Sequence, residues 1–404
     1  MLLRRLRLDM KLALIGFGQA GGKIVDKFLL YDKQTKSGIV KEAVAINTAK
    51  ADLMGLTHVA GDKRILIGQD RVKGHGVGAD NALGAEIAEE ELDIMQNIID
   101  QIPTHEVDAF IIVAALGGGT GSGGGPILAR HLKKVYTKEP IYGLGIIPSL
   151  EEGGIYTLNA AKSFQAFVRE TDNLLAFDND AWRMGGESME GSYDAINEEI
   201  VRRFGVLFGA GEIQKDNDIA ESVVDASEII NTLAGGGVTT VGYASESVPI
   251  QTKRGGILAR IPRGKKKAEF QDSSNNTNRI TSLIRKATLG RLTLPCEIKG
   301  AERALVVVSG PPNYLNRKGI EKGRRWIEEV TGSMEVRGGD YPILNEDKVG
   351  AAVMLSGVVN IPRIKNLQRV AIEAQENMAE IRSQSEEKLR ELIEEGTDEL
   401  EPLF

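Results

Sequence analysis

Leu116-Gly-Gly-Gly-Thr-Gly-Ser-Gly-Gly-Gly-Pro126 follows an apolar run, Ala109–Ala115, and precedes a stretch with helical spacing. A glycine run between a strand and a helix exposes consecutive backbone amides, and Thr120 and Ser122 add hydroxyl donors. Two further glycine turns stand in similar settings. Gly16-Phe-Gly18-Gln-Ala-Gly21 leaves the apolar run Leu12–Phe17 and opens a helix, and Gly74-His-Gly76-Val-Gly78 precedes another. Any one of them alone is an ordinary tight turn. Two such loops at the carboxyl ends of parallel strands can wrap one polyphosphate from two sides, and the third can close over its terminal phosphate.

Working outward, short apolar runs at 12–17, 43–46, 65–67, 109–115, 141–147 and 174–177 alternate with helical patterns such as 82–102. Strand–helix alternation predicts an α/β fold: a Rossmann-like parallel sheet with helices on both faces. Helices are expected at 193–207 and 220–233. Strands at 304–309, 332–336 and 351–356 around a helix at 317–330 then describe a second, smaller α/β domain, and 365–395 reads as a terminal helix. The expected division is an extension at 1–9 ahead of Met10, a nucleotide-binding domain at 10–192, a central helix and catalytic segment at 193–235, a second domain at 236–362, and a helix with an acidic tail at 363–404.

Composition narrows the function. The chain has 404 residues, 42% hydrophobic and 26% charged, which fits a folded protein of two domains. Its 47 glycines are about 12% of the chain, against a usual share near 7%, and they cluster between apolar runs. An aromatic content of 5% argues against an all-β sandwich or a stacking platform for single-stranded nucleic acid. Cys296 is the single cysteine, so no intrachain disulfide can form and a reducing, cytoplasmic setting is expected. His58, His75, His105 and His131 lack ligand-like spacing, so no protein-held metal site is expected, and no stretch of 18 apolar residues could span a membrane. The net charge of −7 is uneven. Residues 250–291 carry eleven Lys/Arg and two acids and read as a long polar loop, whereas residues 373–404 carry eleven acids and three Lys/Arg. No reader motif for nucleic acid accompanies the basic stretch.

Gly117-Gly-Gly-Thr-Gly-Ser-Gly123 resembles the signature of the tubulin/FtsZ superfamily, and the remaining motifs fall in that family's order from Met10 to about residue 362. Gly18-Gln-Ala-Gly21 resembles tubulin's first phosphate loop, Asn47-Thr48 the second loop of FtsZ, Asp178-Asn179-Asp-Ala the base-contacting loop, and Tyr193-Asp-Ala-Ile-Asn197 the start of tubulin's central helix. The chain as a whole is most similar to the archaeal CetZ branch. The resemblance implies the tubulin/FtsZ fold and a GTPase that polymerises head to tail, itself being the partner, with GTP/GDP and Mg2+ at the site.

It also implies roles. Gln19, Ala20, Gly21, Gly22 and Lys23 meet phosphate, with Lys23 as an alternative facing solvent on its helix. Asn47, Gly76, Gly118, Gly119, Thr120, Gly121 and Ser122 complete the phosphate loops. Tyr193 and Asn197, four apart on one helical face, stack on guanine and pair with its edge beside Asn179. Glu151 accepts from the ribose, with Glu152 the competing candidate. Val224-Asp225-Ala-Ser-Glu228-Ile resembles the segment whose acids act on the nucleotide of the neighbouring subunit, which makes Asp225 and Glu228 the catalytic pair. Val223 departs from the family's asparagine two residues before the first acid, which bears on the hydrolysis rate. Ala49 replaces the acid that follows Asn-Thr in FtsZ, and Asp52 is not assigned as a ligand.

The expected role is control of cell shape. The alternatives are a ring protein of cell division, a nucleotide-binding scaffold with little hydrolysis, and an NAD-dependent oxidoreductase resting on Gly16–Gly21. The last lacks the acid that a dinucleotide fold carries at the end of its second strand. The Walker A pattern fails too, since position 17 is Phe and Ile24 replaces Ser/Thr. The basic stretch offers a lateral contact between filaments or a solvated loop. The acidic tail offers an adaptor a place to dock.

Overall fold

The computed structural model describes residues 10–183, 189–209, 224–249, 265–343 and 347–397. The strands are β1 (Leu12–Phe17), β2 (Val40–Asn47), β3 (Arg64–Leu66), β4 (Ala109–Ala115), β5 (Ile141–Ile147), β6 (Asn173–Asp178), β7 (Val238–Ser247), β8 (Arg303–Gly310), β9 (Glu335–Pro342) and β10 (Lys348–Ser356). The helices are α1 (Gly18–Thr35), α2 (Lys50–Met54), α3 (Gln69–Val72), α4 (Asn81–Glu90), α5 (Leu92–Ile99), α6 (Thr120–Val135), α7 (Gly154–Glu170), α8 (Asn179–Trp182), α9 (Met189–Phe208), α10 (Ala226–Leu233), α11 (Lys265–Leu289), α12 (Arg317–Thr331) and α13 (Pro362–Thr397).

All ten strands form one sheet, ordered β3-β2-β1-β4-β5-β6-β7-β10-β8-β9. The first six are parallel. β7 continues parallel to β6 through two residue pairs only, Leu174–Val238 and Leu175–Thr239, and pairs antiparallel with β10 over nine. β1, β4 and β5 are buried nearly throughout and free of charged residues along their length because both faces are covered. Ala13, Ile15 and Phe17 of β1 enter one apolar layer, while Leu12 and Leu14 enter the other. The same alternation recurs in β8, where Val306 and Val308 join the first layer and Leu305 and Val307 the second. Helices α4–α7, α11 and α12 cover the first layer, and α1, α9 and α10 the second.

Three expectations need correction. The helix expected over 82–102 is two helices, broken at Glu91 (φ −113°, ψ 26°), whose carboxylate accepts from the Gly68 amide at 2.9 Å. The strand expected at 332–336 begins only at Glu335, because Gly332 (φ 74°) ends α12 in the left-handed conformation. The polar loop expected across 250–291 is a helix from Lys265 to Leu289. Its composition is polar, but Ile280, Leu283, Ile284 and Ala287 recur at helical spacing and are buried in the same layer as Ile320 and Ile327 of α12. Strand β7, which the sequence reading omits, has a local signal in Val238-Thr-Thr-Val-Gly-Tyr after a glycine turn. The expected extension 1–9, Val223, the basic residues 250–264 and the tail 398–404 lie outside the described residues.

Candidate functional site

β1 and β4 are adjacent and in register, Phe17 opposite Ala114, so α1 and α6 start side by side at the carboxyl rim of the sheet. Neither N-cap, Phe17 or Gly119, supplies a side-chain hydrogen bond, and neither first turn carries an acid. Each helix therefore points uncapped amides and roughly half a unit of positive charge at the same place. The helices approach so closely that a Cβ on Gly121 would stand 2.6 Å from the Phe17 carbonyl oxygen, whereas nothing lies within 4 Å of the equivalent point on Gly118. Ser122 is buried and its Oγ donates to the Gly118 carbonyl. Gln19 and Lys23 are exposed on α1, Ala20 is half-buried, and Gly21 and Gly22 are buried.

The third loop closes against these two. The Gly76 amide donates to the Thr48 carbonyl at 3.1 Å, and Lys50 N donates to Gly74 O at 2.9 Å. Thr48 Oγ1 and Thr120 Oγ1 share a hydrogen bond of 2.7 Å. Asn47 turns its carbonyl back onto the Thr48 amide (2.8 Å) and donates to Asp52 at 2.9 Å. The other Asp52 oxygen accepts from Gln19 at 3.0 Å. Asp52 is thus the strut between the first and second loops. Asn159, on α7, donates to Ala79 O at 2.7 Å and Gly117 O at 3.0 Å, and so joins the third loop to the long glycine run. Sequence reasoning missed Asn159; its neighbours on the helix face include Lys162 and Ser163, so no local pattern marks it.

Next along the rim, β5 and β6 end together, Ile147 opposite Asp178. Ser149 caps the turn 150–152 in a capping box with Glu152, and its Oγ donates to Asp180 at 2.8 Å. Glu151 is exposed and paired with Arg183 at 2.5 Å. Glu152 accepts from Ser149 N at 2.8 Å and hydrogen-bonds the Tyr193 phenol. Burial first, and the Glu152 carboxylate second, push that phenol up to about 12. Asn179 is buried, and its Oδ1 has no hydrogen-bond partner among the described residues. An orphaned buried acceptor is costly and fits a ligand that brings a donor. Asn197 lies half-buried one turn beyond Tyr193 on α9. Trp182 of the adjoining turn is held between Arg203 and Arg291, 4.2 and 4.6 Å from the ring centre.

Asp225 and Glu228 are elsewhere. Asp225 is the N-cap of α10, accepting from Glu228 N at 3.0 Å and Ser227 Oγ at 2.5 Å. The far end of α10 is tied to the opposite edge of the sheet. Leu233 O accepts from Asn173 at the start of β6, and Asn231 O from Arg303 at the start of β8. Six residues of β6 separate that edge from the rim, about 20 Å. At the other end of α10, Glu228 feels the charge of Arg337, the third residue of β9, whose start pairs with the start of β8, so the two acids lie toward the same edge as Asn173 and Arg303, opposite the glycine loops. Burial, and next the Asp225 charge, raise the Glu228 carboxyl above the ordinary glutamate value of 4.5, with Arg337 and Arg324 opposing. If Glu228 works ionised, turnover should decline on the acid side at a higher pH than an unperturbed glutamate would set. Asp225→Asn removes a like charge, so the acid limb of its residual activity should shift to lower pH. A pH profile of turnover at constant filament content checks both. Among the described residues no group of three or more His, Cys, Asp or Glu could hold a metal.

Residues 11–185 match the sequence profile of the Tubulin/FtsZ family GTPase domain, and residues 186–373 that of the Tubulin-like CetZ C-terminal domain. The Tubulin-like protein CetZ1 of Haloferax volcanii is 69% identical over 374 residues, 92% of this chain and 94% of that one. The solved structure of CetZ1 from that organism, a GDP-bound monomer, superposes with a TM-score of 0.80 at 66% identity, covering 91% of this chain and 100% of the other. CetZ2 from Haloferax volcanii, a GTPγS-bound protofilament, does so at 0.80 and 43% identity, covering 92% and 100%.

Proposed function

The chain belongs to the tubulin-like CetZ family of the tubulin/FtsZ GTPases, and from that premise we propose that it closes each of its GTP sites between two successive subunits of a filament. It is a GTP-binding, GTP-hydrolysing cytoskeletal protein that assembles with copies of itself. The observation that carries the shared site is the position of Glu228 beside Arg337, near the first residues of β8 and β9, while the glycine loops stand at the opposite ends of the parallel strands. A site built from opposite edges of two molecules uses different surfaces on each, and such a contact, repeated without closing, makes a filament.

In this reading the amides of α1 and α6, with Gln19, Ala20, Gly21, Gly22, Gly118, Gly119, Thr120, Gly121 and Ser122, hold the phosphates. Gly76 and Asn47 close the loops around them, and Lys23 adds a cation. The free Asn179 acceptor takes a donor from the guanine edge, Asn197 pairs beside it, and the Tyr193 ring lies against the base. Glu151 releases Arg183 to accept from ribose hydroxyls. Asp225 and Glu228 of the next molecule orient the attacking water, and Glu228, ionised, draws its proton. Mg2+ would sit largely among phosphate oxygens and water and would neutralise charge on the phosphates. We assign the filament to cell-shape control in the cytoplasm, with the acidic tail as the place for an adaptor and no role in nucleic-acid binding. Among the described residues no helix is long and apolar enough to cross a membrane.

Turnover per molecule should be near zero at high dilution and rise steeply above a threshold concentration that coincides with the onset of GTP-dependent light scattering. Turnover independent of concentration would mean a site complete within one chain.

A further inference from the structure

Arg363, the second residue of α13, is a buried cation. Only 8% of its side chain is exposed, and 3% of that of its ion-pair partner Asp178. Its Nε donates to Asp178 Oδ1 at 3.0 Å and its Nη2 to the Pro148 carbonyl at 2.7 Å. Its Nη1 is buried with no partner among the described residues. Pro148 and Asp178 are where β5 and β6 give way to their rim loops. One opens the turn bearing Ser149, Glu151 and Glu152; the other directly precedes Asn179 and caps its turn through the Asp180 amide at 3.3 Å. The two turns touch again through Ser149 and Asp180.

Taking an ion pair out of water costs about as much as the pair returns, so stability alone is a weak reason for one here. A guanidinium differs from other cations in its planar fork, which fixes two acceptors at a set distance and angle. None of the struts of the phosphate half, Asp52, Thr48–Thr120 and Asn159, involves Arg363.

We propose that Arg363 is a positioning residue for the purine and ribose half of the nucleotide site, so that the C-terminal helix sets the spacing of the two turns that choose the base. The inference rests on the GTP reading given above. It separates the site into a phosphate half, fixed by the first four strands and α7, and a base half, fixed from the far end of the chain.

Arg363→Lys keeps the charge and removes the fork. Calorimetric titration of the full chain with GDP and with ADP gives the ratio of the two dissociation constants. GDP affinity should fall about tenfold, while ADP, held mainly by its phosphates, should change less than about twofold, so discrimination drops at least about fivefold. A residue that merely holds the fold together would lower both affinities by the same factor through the folded fraction and leave the ratio intact. Equal losses, or an unchanged GDP constant, overturn the proposal. Should the lysine variant not fold, Asp178→Asn keeps the side-chain shape and an acceptor but loses the charge facing Arg363. Its ratio is read in the same way: a fivefold drop supports the proposal and an intact ratio overturns it. An unaltered chain that binds GDP no better than ADP overturns the guanine reading and this inference together. An unaltered chain that discriminates, with variants that discriminate equally, overturns this inference alone.

Discussion

Glu228→Ala is expected to lower GTP turnover about a hundredfold or more while leaving GDP affinity within about twofold of the unaltered protein, because its carboxylate belongs to the edge opposite the phosphate loops. The decisive form of the experiment is a mixture. A second variant with a damaged phosphate rim and intact acids is inactive for the complementary reason. Combined in equal amounts, the two create junctions in which a sound nucleotide site meets sound acids, so turnover should recover to about a quarter of the original if junctions form at random. Failure of the mixture to exceed the sum of its parts, when both variants still co-assemble, would place both halves of the chemistry in one molecule. Asp225→Ala should be less severe in chemistry and worse for local order, since it removes the cap on the Glu228 amide as well as a charge; losing such a cap costs about 1 kcal/mol.

Gly121→Ala should nearly abolish nucleotide binding, raising the GDP dissociation constant well over tenfold. The added methyl meets the Phe17 carbonyl at 2.6 Å, and the obstacle is main chain on a buried strand. Relief requires α6 to withdraw from α1. That withdrawal opens the gap between the two sets of amides and strains the Thr48–Thr120 hydrogen bond. Overpacking of this kind costs about 1–3 kcal/mol in stability, so thermal melting should show a moderate drop with the fold retained. The binding loss is larger because phosphate affinity depends on both helix ends reaching the same point. Nucleotide titration followed by melting in the absence of ligand separates the two effects. A variant that binds GDP normally would show that α1 and α6 do not act as one cradle.

Much of this arrangement is local, and local features are what a sequence displays. The bounds of β1, β4 and β5 follow from runs without a charged residue, preceded by Lys11, Asp108 or Pro140 and closed by glycine or proline within two residues of the end, and the rim follows from glycine turns repeating after strands. What escaped are features settled by partners distant in the chain. The polar surface of α11 hides its four core residues until α12 is there to cover them. Glu91 looks like any helix acid, and its break makes sense only beside the Gly68 amide. Asp52, Asn159 and Arg363 hold the site by bonds spanning 33, 80 and 215 positions, which no periodicity encodes. The family resemblance supplied the idea of acids lent between molecules. What would keep a chain from using its own acids, on the proposed reading, is visible only in the topology, where α10 ends against the starts of β6 and β8, away from the glycine loops.

The junction of β6 with β7 is thinner than any other pairing in the sheet among the described residues, with two residue pairs against three to nine elsewhere. At its lower end Asn173, Thr239 and Ser356 are knotted by buried hydrogen bonds of 2.7 to 3.0 Å. Above that knot the two strands part and Thr293 fills the gap, its carbonyl accepting from Asp178 N at 2.8 Å and its own amide donating to Val241 O at 2.9 Å. The seam is thus riveted at its foot and again near the rim, so the turn that opens at Asn179 cannot shift without carrying β7 along.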